Sequence, residues 1–225
     1  MSEYPPPPPG PPSGPPTGLP PYGAPPAYAA PGGYPAALTF DAPEKVARWR
    51  VIGNIILAIP HFIILYVLTI VAEVLAIVAW FAGVFTGKVP EGIQTVIVMT
   101  LRYQTRVGLY ALFLKEEYPP FTFSTEFADP GDDPRVRVDF TPQIENRNRL
   151  TIFFRFFMVI PHFFVLFFLF IAFYFVMIIA WFAVLITGKW PTGLRNFAVG
   201  LQRWGLRLNA YMFLLNDDYP PFSLN

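Results

Sequence analysis

The stretch Ile160-Pro161-His162-Phe163-Phe164-Val165-Leu166-Phe167-Phe168-Leu169-Phe170-Ile171-Ala172-Phe173-Tyr174-Phe175-Val176-Met177-Ile178-Ile179-Ala180-Trp181-Phe182-Ala183-Val184-Leu185-Ile186-Thr187-Gly188-Lys189 decides the fold class. No Asp, Glu, Lys or Arg lies between Arg155 and Lys189, a run of 33 residues. Crossing a hydrocarbon core ~30 Å thick takes about 20 apolar residues, so the run predicts a transmembrane helix. Pro161 suits the first turn of a helix and disfavours helix in the residue before it. The prediction is therefore a span at 162–186, led in by a shorter aromatic helix at 149–160. At the far end Gly188 suits a left-handed C-cap and Lys189 complements the helix dipole.

Working outward, the stretch has a counterpart 101 residues earlier. Ile59-Pro60-His61-Phe62, Ala79-Trp80-Phe81-Ala82, Thr86-Gly87-Lys88, Arg102, Arg106 and Tyr118-Pro119-Pro120-Phe121 all return at that one offset. Holding one offset across so many rare residue types marks a tandem duplication. The first span then falls at 61–85, interrupted only by Glu73. Upstream, Pro35 and Pro43 match Pro134 and Pro142 at an offset of 99.

The chain has 225 residues, 54% hydrophobic, 18% aromatic and 14% charged. A water-soluble globule carries roughly 25% charged residues, so composition also points to the membrane. Having no Cys excludes disulfides, thiolate metal sites and a cysteine nucleophile, and a net charge of +1 gives no nucleic-acid footprint. Sixteen of the 27 prolines fall in residues 1–43. That segment reads as a disordered, polyproline-II tail, in which Pro25-Pro26-Ala27-Tyr28 has the pattern taken up by proline-binding modules. Residues 122–147 form a polar linker: Asp129, Asp132 and Asp133 flank a turn, and Arg135 to Phe140 alternates as a strand does. Its predicted partner is Ala37 to Phe40 or the Tyr-Pro-Pro-Phe ends. The repeats then occupy 44–121 and 148–225.

The second helix of each repeat, 92–114 and 193–215, carries Arg102 and Arg106, or Arg203 and Arg207, on one face. Two arginines at mid-membrane cost about 2.5–3.5 kcal/mol each, and ten apolar residues return roughly 0.3–0.6 each. The balance is near zero. Charge placement puts the amino ends of both strong spans in the cytoplasm. Parallel spans need a return crossing, which favours a hairpin per repeat and four crossings, with tail, linker and carboxyl terminus cytoplasmic. If the arginine helices are only interfacial, the repeats are inverted.

As a set, the Ile-Pro-His, Ala-Trp-Phe-Ala, Thr-Gly-Lys-x-Pro-x-Gly, Arg-(x)3-Arg and Tyr-Pro-Pro-Phe motifs resemble the actinobacterial membrane family called domain of unknown function 4389. The copies differ at Tyr103 against Trp204 and Thr122 against Ser223. The resemblance implies an integral membrane protein and carries no activity, cofactor or functional residue with it. The expected fold is all-α and membrane-integral: two tandem repeats of about 101 residues, each a strong transmembrane helix plus an arginine-bearing amphipathic or second spanning helix, with short strand-like cytoplasmic segments.

Among candidate sites, His61 and His162 occupy equivalent positions and would suit axial haem or metal ligation if the repeats brought them together; the plainer expectation is two interfacial histidines satisfied locally. Glu73, the sole acid inside a span, is expected to pair with Arg102 or Arg106. Arg203 and Arg207 lack such an acid, which leaves lipid phosphate, helix carbonyls or water. No nucleophile–base motif, phosphate loop or metalloprotease motif occurs, so no catalytic residue and no cofactor is assigned. The expected function is a non-enzymatic scaffold in the cell membrane whose cytoplasmic proline-rich arm tethers a protein partner. The alternative is a small transporter or channel that uses Glu73 and the arginines and closes its pore by homo-oligomerisation.

Overall fold

The computed structural model describes residues 33–225. In chain order they form strand β1 (Ala36–Phe40), helices α1 (Arg50–Leu57), α2 (Ile59–Thr86) and α3 (Glu91–Ala111), strand β2 (Val136–Phe140), and helices α4 (Arg149–Met158), α5 (Ile160–Thr187) and α6 (Thr192–Met212). Most of the proline-rich tail, with Pro25 to Tyr28, lies outside the described residues. Its inner boundary shifts, because Ala36–Phe40, which composition assigned to the tail, are a strand.

Both long helices start at a proline in the first turn and stop at a left-handed glycine, Gly87 (φ 71°) and Gly188 (φ 70°). Only glycine adopts that conformation without a Cβ penalty, so the helix ends are written in the sequence. Pro90 and Pro191 then stand as N-caps of α3 and α6. Asn148 caps α4 by accepting from the N–H groups of Leu150 and Thr151.

The repeats interlock about a pseudo-two-fold axis. Arg147 N–H donates to Gly87 O, and Val46 N–H donates to Gly188 O, so each repeat's leading segment docks on the end of the other's long helix. The short leading helices follow: Trp80 of α2 donates to Ile152 O of α4, while Ile55 of α1 meets Met177 and Trp181 of α5. Further along, Phe163 of α5 lines one cavity with Glu73 and Ala76 of α2. With α4 at the carboxyl half of α2 and α1 at that of α5, the two long helices run antiparallel. On the axis, β1 and β2 pair antiparallel with Leu38 opposite Val138. Arg102 Nε donates to Val138 O and Arg203 Nε to Leu38 O, which equates Leu38 with Val138 at an offset of 100, where the prolines give 99.

Three layers result. The α3–α6 pair is the middle layer, with β1 packed on α6 and β2 on α3. Gln104 and Arg106 are two residues apart on α3 and so point to opposite sides. Arg106 reaches the linker; Gln104 lines a groove with Phe170 and Phe173 of α5. On α6, Arg203 reaches β1, whereas Gly205 and Asn209 line the same groove. Linker and sheet therefore cover one side of the middle layer, and α2 and α5 flank the other.

These two long helices are the apolar ones. Both are long and apolar enough to cross a membrane, with mean hydropathy 2.7 and 3.0, and only 11% of each apolar window is buried. In α3, by contrast, Arg102 and Arg106 are buried within the protein.

The glycines give a stability test. A Cβ at Gly188 would sit 3.3 Å from Val46 O on top of the positive φ, whereas Gly193 has open space around it. Gly188→Ala is expected to destabilise by about 1–2 kcal/mol, and Gly193→Ala to be neutral or stabilising by up to about 1 kcal/mol. Denaturation in detergent micelles reads the difference; equal effects would contradict the interlocked turn.

Candidate functional site

Arg102 and Arg106 sit one turn apart in α3, and their partner is the linker. Arg106 Nη2 lies 2.8 Å from Asp129 Oδ1, and Arg102 Nε lies 3.5 Å from Asp129 Oδ2, with all three side chains buried. Arg102 also donates to the main-chain oxygens of Ser124, Glu126, Phe127 and Val138. Burial pushes the Arg102 guanidinium down from its ordinary range, and Asp129 opposes that push. Beside this cluster Lys115 is paired with Asp133. Burial lowers the Lys115 ammonium as well, with Asp133 restoring part of the loss.

The expected pairing of Glu73 with Arg102 or Arg106 is thus overturned. Glu73 is exposed and lies on the wall of a cavity of about 380 Å³ shared with Ala76, Phe163, Leu208 and Asn209. Asp129 wins the arginines because the linker folds back over the face of α3 that carries them. Sequence reasoning had placed Asp129 only in a turn; the available signal was an acid-rich segment following a helix with two uncompensated arginines.

Repeat 2 solves the equivalent problem without that carboxylate. Arg203 Nε donates to Leu38 O at 3.2 Å, and Arg207 donates to the main-chain oxygens of Ser223 and Asn225. Carbonyls take these arginines, though they belong to strand and terminal segments and not to helices. A second carboxylate centre sits elsewhere. Asp217 accepts from Arg147 Nε at 2.9 Å, from Arg155 Nη2 at 2.7 Å and from Asn148 N–H at 2.8 Å. Although burial raises it, these partners hold its carboxyl below the usual carboxylate range.

The two histidines are not brought together. Each is fully buried in an aromatic box built by its own repeat. His61 Nδ1 bonds the Tyr103 hydroxyl, and its ring stacks on Phe121 at 4.3 Å between centroids. His162 Nδ1 accepts from Trp204 Nε1 at 3.0 Å, and its ring stacks on Phe222 at 4.0 Å. Burial pushes the Tyr103 hydroxyl up to about 12, so it stays protonated and can offer a donor as Trp204 does. Tyr103 and Trp204, the main difference between the copies, therefore do the same job. Each Tyr-Pro-Pro-Phe segment closes its box, which explains why the Ile-Pro-His and Tyr-Pro-Pro-Phe motifs recur together. Both Nε2 atoms are buried without a partner among the described residues. No group of three or more His, Asp or Glu side chains placed to hold a metal ion occurs among the described residues.

The model of the family described as Domain of unknown function (DUF4389) matches twice, at residues 48–122 and 149–223. The chain belongs to that family and carries two tandem copies of its domain. No curated protein and no solved structure matches the chain. Each matched segment runs from the short leading helix through the Tyr-Pro-Pro-Phe box, and most of the linker with Asp129 falls between the two.

Two substitutions test this centre. Asp129→Asn leaves the buried Arg102 without its paired carboxylate and Arg106 with only Asp132 at 3.7 Å, and is expected to destabilise by about 3–5 kcal/mol. Lys88→Ala, which breaks the solvent-screened, exposed pair with Glu145, should cost far less than Asp129→Asn. Denaturation in micelles compares them, and similar effects would contradict the role given to Asp129. For Asp217 the folded-state carboxyl titrates below its unfolded value. Its contribution is therefore complete above about pH 4 and is lost as pH falls through the folded value. Asp217→Asn is expected to flatten the acid limb of the stability profile, and an unchanged limb would count against the pairing.

Proposed function

We propose that this protein is a membrane-embedded, non-enzymatic scaffold that holds a polar layer at one membrane surface and carries a proline-rich arm for a protein partner. The carrying observation is the uncovered apolar face. On α2 twelve large apolar side chains are exposed and on α5 fourteen, among them Ile63, Tyr66, Phe85, Phe164, Phe167 and Ile186. Burying one such side chain is worth about 1.5–3 kcal/mol, so leaving them all in water would outweigh the 5–15 kcal/mol by which a domain is stable. A bilayer as the solvent of this face removes the conflict.

The fold also favours one mode of embedding. If antiparallel α2 and α5 crossed the bilayer, the axis between them would carry the sheet and linker to mid-membrane depth. The Arg135–Asp41 and Arg135–Glu117 pairs lie in that layer with their side chains partly exposed. Irregular polar backbone is not tolerated in lipid unless protein covers it. We therefore place the axis along the membrane normal, with α2 and α5 immersed in one leaflet and α3, α6, the sheet and the linker on the same side of the bilayer. In this reading neither arginine helix crosses: Arg102 and Arg106 turn to Asp129, and Arg203 and Arg207 to main-chain oxygens, on the side of the middle layer that carries the sheet and linker. The transporter alternative finds less support, since α3 and α6 form the floor of the groove between the long helices.

A chain without cysteine suits single-cysteine labelling. Lys88→Cys, Lys189→Cys and Thr125→Cys are expected to react with a membrane-impermeant maleimide from the same, cytoplasmic side. Labelling of Lys88→Cys and Lys189→Cys from opposite sides would show that the long helices cross. A chain that is monodisperse without detergent would remove the membrane reading altogether.

A further inference from the structure

The duplication provides two copies of one site, of which only the first is filled among the described residues. In an antiparallel pair, alternate residues turn their N–H and C=O groups towards the partner strand. Asp41 N–H donates to Arg135 O and Thr141 N–H to Pro35 O, so the odd-numbered residues of β1 and β2 face each other. The even-numbered residues face outward. On β2 these outward N–H groups are all taken by the linker: Val136 donates to Asp133 Oδ1 (3.0 Å), Val138 to Asp129 Oδ2 (2.7 Å) and Phe140 to Phe127 O (3.0 Å). The linker thus runs along β2 as a partial third strand, and its Asp129 carboxylate caps the edge and the Arg102–Arg106 pair together.

The axis carries β2 onto β1, and the equivalence holds in detail. Arg102 Nε donates to Val138 O at 3.1 Å, and Arg203 Nε donates to Leu38 O at 3.2 Å. Yet the outward N–H groups of Ala36, Leu38 and Phe40 have no partner among the described residues. Among the described residues Arg102 makes four main-chain contacts, while Arg203 makes one, to Leu38. An unpaired strand edge beside two cations is complementary to an extended segment bearing a carboxylate.

We propose that the outer edge of β1, with Arg203 and Arg207, is a docking site for an extended acidic peptide of a partner protein, whose aspartate takes the place that Asp129 holds in the first repeat. A main-chain carbonyl of the peptide would accept from Phe40 N–H. Its aspartate would accept from Leu38 N–H and from the guanidinium groups. The inference gives the proposed scaffold a partner. It does not depend on how the long helices meet the membrane, so either reading can fail without the other.

The chain's own linker supplies the probe. A fluorescent peptide of sequence Thr-Phe-Ser-Thr-Glu-Phe-Ala-Asp-Pro-Gly-Asp-Asp, residues 122–133, is titrated into the full-length protein in detergent micelles and followed by anisotropy. The expected result is saturable, salt-sensitive binding that weakens about tenfold or more when the peptide carries Asp129→Asn or the protein carries Arg203→Gln. The peptide variant leaves the protein unaltered, so misfolding cannot imitate that loss. Four results would overturn the proposal. One is no saturable binding, and another is binding indifferent to both changes. The third is binding lost with Arg102→Gln in place of Arg203→Gln, which marks exchange with the protein's own linker. Tighter binding to a chain lacking residues 1–32 would also overturn it, since the occupant would then be the chain's own tail, whose only acid in that span is Glu3.

Discussion

Two guanidinium groups inside α3 require an anion, and much of the architecture follows from where it is found. Removing an ion from water costs several kcal/mol, and only a well-placed counter-ion with further hydrogen bonds offsets it. Asp129 meets that demand only if the linker folds back across α3. The same fold-back supplies partners for the outer edge of β2 and so fixes β2 on α3. Once β2 is placed, β1 pairs with it across the axis and lands on α6. The linker and sheet then take the polar side of the middle layer, and α2 and α5 pack on the other.

Local structure was legible because local chemistry specifies it. Pro60 and Pro161 open the long helices, and Gly87 and Gly188 end them in the conformation glycine alone takes cheaply. The alternation from Arg135 to Phe140 marked β2, and its pairing with the segment before the first repeat was one of the two partners considered. Less legible was anything set by fold-back. Glu73 looked like the natural counter-ion because a helix representation ranks partners by shared depth, whereas the actual partner arrives from a loop with no periodicity. The histidine boxes were hidden for a similar reason: Tyr-Pro-Pro-Phe closes on a residue some sixty positions upstream.

The copies have kept their apolar parts and helix ends while diverging in their polar ones. Both aromatic boxes survive the change from Tyr103 to Trp204, because either residue offers a donor to the histidine Nδ1. The buried Lys115 that pairs with Asp133 has the neutral Asn216 as its counterpart, which accepts from the Tyr34 hydroxyl.

The exchange of leading segments has an implication for ancestry and for engineering. Val46 is held by Gly188 and Arg147 by Gly87, so neither half owns all of its own contacts. A polypeptide with a single copy would present an open turn where the other half's leading strand belongs, and closing that turn calls for a twin molecule related by the same rotation. The duplicated chain is in effect a covalently joined dimer, and cutting it between its halves would turn an intramolecular fit into one that depends on concentration.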